Sequence, residues 1–124
     1  MANEKTVRKN APHLNNILQL SRNLMIDLDQ ELNHGFQLET KGCLMLYKSA
    51  ETGHHEAELA HEAKKYSMEA PVLSKEEVQA MEPDVEVDVL GGVYFTVDCH
   101  LHPVGMMKTL KQQCQKMGVR KDSE

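Results

Sequence analysis

The strongest constraint in this sequence is one long apolar stripe at helical spacing near the N-terminus. Between about Val7 and Leu32, apolar residues recur every three or four positions, which places them on one face of an α-helix. This first-helix stripe consists of Leu14, Ile17, Leu18, Ser21, Leu24, Met25, Leu28 and Leu32. A helix of about 20 residues draws most of its stability from packing of its apolar face, so the sequence requires another surface to cover the stripe.

The ends of this helix are marked by residues with known capping preferences. Asn10 is a candidate N-cap, and Pro12 suits the first helical turn because its missing N–H would have no partner there. Asn33 and His34 interrupt the apolar pattern. Gly35 then suits the left-handed conformation that commonly follows a helix.

Two strands are predicted after the first helix. Residues 36–40 alternate apolar and polar side chains, and Cys43–Tyr47 is almost entirely apolar. Lys41 and Gly42 between them suit a tight turn. We therefore expect a hairpin whose second strand is the more buried one.

The remaining elements alternate between helix and strand. Residues 52–66 predict an amphipathic surface helix, and Ser74 with Glu77 forms a capping-box pattern for a short helix that must stop near Glu82. Residues 90–96 predict a strand whose glycine pair marks a bulge or a close backbone approach. Pro103 opens a last helix that Gly118 ends, and Val119 with Arg120 suggests the start of another strand.

This order of elements predicts an α+β fold. We expect a small antiparallel or mixed sheet of about four strands, with a long N-terminal helix, two middle helices and a C-terminal helix. The 124 residues suffice for a single domain, made of the long helix (1–34), the α+β segment (35–119) and a short tail (120–124).

Composition excludes several classes of protein. The net charge is −5, from 14 basic and 19 acidic residues, so the chain lacks the basic surface of a typical nucleic-acid-binding protein. It also has only five Phe and Tyr residues and no Trp, so it offers few aromatic rings on which bases could stack. No apolar run approaches the roughly 20 residues of a membrane span. The polar N-terminus lacks the apolar region of a secretory signal, so we expect a cytoplasmic protein.

The three cysteines predict free thiols. Cys43, Cys99 and Cys114 are widely spaced and form no CxxC pair, so a disulfide framework and a structural zinc site are both disfavoured. Cys114 lies on the apolar stripe of the last helix and Cys43 opens an apolar strand. We interpret both as small core residues, and we interpret the apolar residues Met106, Met107 and Met117 in the same way.

One helix carries a weak candidate for a metal site. His54, Glu58 and His61 are spaced so that all three can point the same way from the predicted helix 52–66. Two imidazoles and a carboxylate can bind a divalent metal. The sequence lacks the HExxH pattern, however, and a solvated polar face explains the same residues, so we predict no metal.

A second polar group follows the glycine-containing strand. Asp98, His100 and His102 lie between that strand and the last helix, where polar groups often gather for chemistry. His100 could exchange protons near neutral pH. The alternative, which we favour, is that Asp98 or His100 caps the helix that begins at Pro103.

The ordered set of segments resembles one enzyme family. The chain has no GxG, phosphate loop or GxSxG. In sequence order it carries a GxLxL-type strand (42–46), a LSxEE stretch ending in EP (73–83), a GxxYF-type strand (91–95) and a DxHxxP helix start (98–103). These segments resemble the FAD-dependent amino-acid oxidoreductases of the D-amino-acid oxidase superfamily, which includes glycine oxidase and D-amino-acid dehydrogenase.

The resemblance, which spans roughly residues 35–119, implies an internal part of the substrate domain of a flavoenzyme. Such enzymes oxidise a D-amino acid or a glycine-like amine by hydride transfer to FAD. The resemblance implies that the family's dinucleotide-binding motif, and most of the residues that bind the substrate carboxylate, are not in this chain. We therefore expect FAD in the full-length family but none on this chain alone, and we expect the chain to be inactive by itself.

The resemblance carries over no catalytic residue. It leaves Tyr94, Asp98 and His100 as the polar candidates near the place where the substrate domain meets the flavin. The expected partner is the missing FAD-binding domain or a second copy that covers exposed apolar surface. The alternative to an enzyme fragment is a small α+β interaction module or subunit without catalytic activity.

Overall fold

The computed structural model describes residues 3–120, which divide into two units. The helical unit contains the described residues up to 39 and those from 100 onward, and the sheet unit contains residues 40–99. In chain order the helices are α1 (Glu4–Glu31), α2 (Ala50–Lys64), α3 (Lys75–Met81) and α4 (Pro103–Lys116). The strands are β1 (Cys43–Tyr47), β2 (Val72–Ser74) and β3 (Gly91–Phe95). The α+β class is confirmed, whereas the division into a single domain with three segments stays a prediction.

Helix α1 is longer than its apolar pattern indicated. It has 28 residues, and its N-cap is Asn3, whose side chain accepts a hydrogen bond from the Lys5 N–H at 2.9 Å. The expected cap at Asn10 is therefore wrong, and Pro12 lies inside the helix instead of in its first turn. The first turns are polar, so they carry no apolar periodicity that could mark the true start.

The C-terminal turn of α1 is built around a buried carboxylate. Asp29 is only 2% exposed and accepts hydrogen bonds from the Phe36 N–H at 2.8 Å and from the His34 ring at 3.2 Å. The left-handed residues here are Asn33 and His34, with φ of 53° and 58°, so the expectation that Gly35 takes this conformation is wrong. Asn and His tolerate this conformation better than most residues, and the Asp29 contacts hold it in place.

Residues 36–40 do not form the predicted strand. Gln37 has a φ of 51°, which breaks an extended run, and only Glu39 forms a bridge, with His100 in the same unit. Phe36 is completely buried, whereas Met45 and Leu46 of β1 are both more than 40% exposed. The one fully buried side chain of these two segments is therefore Phe36 rather than a residue of β1, and β1 has a different neighbour from the one predicted.

In the described residues the sheet has three antiparallel strands in the order β1-β3-β2, one fewer than expected. The central strand needs its glycine pair. A Cβ on Gly91 would lie 2.6 Å from the Leu73 carbonyl oxygen, and one on Gly92 would lie 2.9 Å from the Met45 carbonyl oxygen. The pair therefore marks a close backbone approach, one of the two predicted alternatives.

The two middle helices both contact β3. Val93, which is completely buried, packs with Ala60 and Ala63 of α2 and with Ala70. Val78 of α3, also completely buried, lies against the Gly92 position. Because neighbouring residues of a strand point to opposite faces, α2 and α3 cover opposite sides of the central strand. These contacts form the small core of the sheet unit.

Helix α3 begins with the predicted capping box. The Ser74 hydroxyl accepts from the Glu77 N–H at 3.2 Å, and the Glu77 carboxylate accepts from the Ser74 N–H at 2.8 Å. We expect Ser74→Ala to lower the free energy of unfolding by about 1 kcal/mol, because it leaves a first-turn N–H without its partner. Urea denaturation measures this change, and Ser74→Thr, which keeps the hydroxyl, serves as the matched control.

The same helix start lowers the pKa of Glu76 below its ordinary value. The causes are a hydrogen bond from its own backbone N–H, then one from the Ser74 side chain, with a smaller contribution from the Lys75 charge. The resulting stability is present above the unfolded-state pKa and is lost as the pH falls through the folded-state pKa. An NMR titration of Glu76 in Ser74→Ala should therefore show its midpoint rising, and an unchanged midpoint would contradict this assignment.

Helix α4 begins at Pro103 as predicted, but its cap is a different residue. His102 is the N-cap, and its Nδ1 accepts from the Gly105 N–H at 2.9 Å, so neither Asp98 nor His100 has the expected capping role. Met107 is 65% exposed and Met117 is 81% exposed, and Cys114 is exposed as well. Their interpretation as core residues is therefore wrong, because no described element covers this face of α4.

The last predicted strand is not formed by Val119 and Arg120, and the rest of the expected tail lies outside the described residues. Within residues 3–120, no helix combines the length and the apolar character that crossing a bilayer requires.

Candidate functional site

Two of the three predicted site residues, Tyr94 and Asp98, form hydrogen bonds with the segment Lys41–Gly42. The Tyr94 hydroxyl donates a hydrogen bond to the Lys41 carbonyl oxygen. The Gly42 N–H donates to the Asp98 carbonyl oxygen at 3.1 Å. Both Tyr94 and Asp98 therefore hold the same short segment from the end of β3, and we call these four residues the Tyr94 corner.

Gly42 is required in the Tyr94 corner. Its φ is +76°, a conformation that disfavours side chains, and a Cβ there would lie 2.7 Å from the Phe95 carbonyl oxygen and 2.8 Å from the Tyr94 ring. The glycine thus lets the backbone pass directly against the tyrosine. The Tyr94 ring is partly buried by this contact, while the Asp98 side chain is exposed.

The hydrogen bonding of Tyr94 limits what the corner can recognise. Because the Tyr94 hydroxyl donates its hydrogen to the backbone carbonyl oxygen of Lys41, the phenol oxygen itself remains available as an acceptor. An ionised Asp98 carboxylate is also an acceptor. Both groups therefore suit a ligand that donates hydrogen bonds, such as an ammonium group.

His100 is not part of the Tyr94 corner. It belongs to the helical unit, where its N–H donates to the Glu39 carbonyl at 3.0 Å and its carbonyl accepts from the Glu39 N–H at 2.8 Å. These two bonds fix its backbone and leave the imidazole exposed. Sequence reasoning missed the Lys41 carbonyl as the partner of Tyr94, because no local pattern links residues this far apart in the chain.

The metal candidates on α2 include one close side-chain contact and line an open depression. His54 Nε2 lies 3.4 Å from Glu58 Oε1, and both side chains are mostly exposed. Together with His61 they line a depression of about 460 Å³. Across the described part of the chain, no group of three His, Cys, Asp or Glu side chains is arranged to hold a metal ion, so we carry the metal hypothesis no further.

The described residues include no glycine-rich loop of the kind that commonly binds a dinucleotide. Pyrophosphates are commonly bound by a glycine-rich loop that leads into a helix N-terminus with unpaired N–H groups. This sequence has no GxG. Each of the four described helices uses one of its own first N–H groups for a capping side chain, namely Asn3, Ser49, Ser74 or His102.

Two solved structures of glycine oxidases have a similar fold. Glycine oxidase from Geobacillus kaustophilus superposes with a TM-score of 0.68 and 23% identity, over 74% of this chain and 26% of that chain. Glycine oxidase from Bacillus cereus ATCC 14579 gives a TM-score of 0.74 and 18% identity, over 81% of this chain and 29% of that chain. The chain thus spans between a quarter and a third of these structures, and at such low identity the likeness shows the fold alone.

The family itself is shown by sequence. No curated protein matches the chain. The family model for FAD dependent oxidoreductases, DAO, matches residues 5–121, which is nearly the whole chain. This match confirms the resemblance that the ordered segments indicated, and the chain belongs to the FAD dependent oxidoreductase family.

Proposed function

We propose that the chain is part of an enzyme that oxidises the amine of glycine or of a D-amino acid. The match of the family model over residues 5–121 carries the proposal, and the likeness of the fold to two glycine oxidases supports it. In enzymes of this chemistry FAD accepts a hydride from the carbon next to the amine, and the protein orients the substrate. The chain's own part is to supply some of the surface that the substrate contacts.

Tyr94, Asp98 and His100 are the proposed contacts to the substrate or the flavin. The acceptor oxygen of Tyr94 and the carboxylate of Asp98 suit the ammonium group of an amino acid. His100 presents an exposed ring on a backbone that Glu39 fixes. We assign these residues to binding and positioning.

We further propose that this chain alone binds no FAD and oxidises no amine. It has no glycine-rich fingerprint, and its described helix N-termini are capped by its own side chains. The proposed partner is an FAD-binding domain, the proposed location is the cytoplasm, and nucleic acid is not an expected partner. The purified chain should be colourless and inert towards glycine and D-alanine, and a flavin absorbance band that persists through purification would contradict this.

The function is tested by placing the chain in a working enzyme. The chain replaces the corresponding quarter of the glycine oxidase from Geobacillus kaustophilus, and retained flavin colour reports that the chimera folds. We expect the chimera to oxidise glycine or a D-amino acid. We expect Asp98→Asn in it to raise the KM for the amine several-fold with a smaller change in kcat, because a charge-assisted contact is lost.

Matched variants sharpen this test. Asp88→Asn removes an exposed carboxylate in the same unit that pairs with Lys48, and it should leave the KM unchanged. A chimera that holds flavin yet oxidises neither glycine nor D-alanine contradicts the proposed activity. An active chimera in which Tyr94→Phe, Asp98→Asn and His100→Gln all behave like the parent contradicts the assigned residues.

A second candidate function is an interaction module without catalysis. The observation that favours it is the number of large apolar side chains exposed on α1 and α4, since contiguous exposed apolar surface marks contact sites. In this case the chimera would be inactive and the chain would act only by binding another protein.

A further inference from the structure

The start of α4 is held by a side chain that can change its protonation state. Helix N-caps are most often Ser, Thr, Asp or Asn, each of which offers an oxygen as the acceptor. At α4 the acceptor is Nδ1 of His102, which lies 2.9 Å from the Gly105 backbone nitrogen. An imidazole nitrogen accepts a hydrogen bond only while it carries no proton. The cap therefore exists in one protonation state of His102 and not in the other.

Protonation of His102 opposes the helix start in two ways. A charged imidazole has an N–H group at both ring nitrogens, so the Gly105 N–H would meet a donor in place of an acceptor. The positive charge of the ring would also lie at the positive end of the α4 dipole. The contact in the structure therefore requires the neutral ring with its proton on Nε2.

His102 joins the start of α4 to the turn that follows α1. Its backbone N–H donates to the Phe36 carbonyl oxygen at 2.9 Å, while its ring accepts from Gly105. Gly105 itself lies close to this turn, since a Cβ there would lie 3.0 Å from the Gly35 carbonyl oxygen. The Thr109 hydroxyl, one helical turn further on, donates to the same oxygen at 3.2 Å. Loss of the His102 cap therefore loosens the part of α4 that contacts this turn.

The titratable and charged groups near His102 differ in sign. In and beside the turn that follows α1, Asp29 contacts the ring of His34, and Glu39 adds a second carboxylate. His100 carries a further imidazole two residues before the cap. Along α4 the charged side chains are all lysines, namely Lys108, Lys111 and Lys116. Carboxylates favour protonation of an imidazole and lysines oppose it, and His102 is exposed, so its ring exchanges protons with bulk water.

We propose that His102 is a pH-sensitive cap that holds the start of α4 at neutral and higher pH and releases it in mild acid. Imidazole is the side chain that ordinarily changes charge between about pH 5 and pH 8. The stability that the cap contributes is present while the ring is neutral, and it is lost as the pH falls and the ring gains a proton. The proposal depends only on the helical unit and does not rest on the proposed enzymatic function.

The first test observes the ring and its partner directly. In NMR spectra of the purified 124-residue chain at about pH 8, the ring nitrogens of His102 should show the neutral form with its proton on Nε2. On acidification the Gly105 amide resonance should shift with the same midpoint as the His102 ring. His100→Gln is the matched control, because it removes an exposed ring two residues away and should leave this shared titration unchanged.

The second test measures what the cap contributes. His102→Asn supplies a side-chain oxygen that accepts from the same backbone group and does not titrate between about pH 5 and pH 8. When the pH is lowered across this range, the melting temperature of the parent chain should fall by about 4 °C more than that of His102→Asn, because only the parent loses its cap. The other histidines are present in both chains, so their contributions cancel in this comparison. Circular dichroism follows both transitions and checks that the variant keeps its helices.

Three results would each overturn the proposal. A proton on Nδ1 of the neutral ring would show that His102 cannot accept from Gly105. A Gly105 amide that does not follow the titration of the ring would show that the two groups are not in contact. Equal falls in melting temperature for the parent and for His102→Asn would show that the cap does not set the response of α4 to acid.

Discussion

Phe36→Ala is expected to lower the free energy of unfolding by about 3–5 kcal/mol, as truncation of a fully buried aromatic side chain generally does. Phe36 is completely buried and is the largest of the fully buried side chains. Both backbone polar groups of Phe36 are also hydrogen-bonded, because its N–H donates to the Asp29 carboxylate at 2.8 Å and its carbonyl oxygen accepts from the His102 N–H at 2.9 Å. The surrounding turn therefore has little freedom to collapse into the space that the ring leaves.

Urea denaturation followed by circular dichroism measures this change. Val104→Ala, in the same unit on α4, is the control, because that side chain is 54% exposed and its truncation should cost no more than about 0.5 kcal/mol. If Phe36→Ala unfolds at the same urea concentration as the control, the turn is not the centre of the helical unit.

Gly91→Val should be the second most damaging substitution. A Cβ on Gly91 would lie 2.5 Å from the Tyr47 hydroxyl oxygen and 2.6 Å from the Leu73 carbonyl oxygen. The tyrosine can move, but the carbonyl belongs to the paired strand β2, so the sheet itself must open. We expect a loss of about 3 kcal/mol, the upper part of the range for overpacking, together with weaker protection of β2 amides in hydrogen exchange.

Leu90→Ala provides the comparison for Gly91→Val. Leu90 is the preceding residue and is 56% exposed, so its truncation should change stability by no more than about 0.5 kcal/mol. A Gly91→Val protein with parent-like melting and β2 protection would show that β3 tolerates a side chain at this position.

The elements that sequence reasoning predicted well are those with local signals. The capping box of α3 lies within four residues, and Pro103 marks the start of α4 by its own covalent structure. The β3 strand has its glycine pair next to a run of β-favouring residues. In each case the determinants are neighbours in the chain, so a reader of the sequence sees all of them together.

The elements that were predicted wrongly depend on distant or buried partners. Residues 36–40 have a strand-like alternation, but the Asp29 carboxylate and the bridge to His100 set their conformation. At the candidate site, Tyr94 was predicted from a family resemblance, whereas its contact with the Lys41 carbonyl joins residues 53 positions apart. The stripe on α4 looked like core because apolar spacing indicates a face without indicating what covers it.

The bridge between Glu39 and His100 has a consequence for how this chain can evolve. The two residues flank residues 40–99, and the Cα atoms of such an antiparallel pair lie about 5 Å apart. The two ends of the sixty-residue segment between them therefore lie close together, as the ends of an inserted domain do. Recombination could exchange or delete that segment, and a peptide of a few residues would join Glu39 to His100 without stretching the helices on either side.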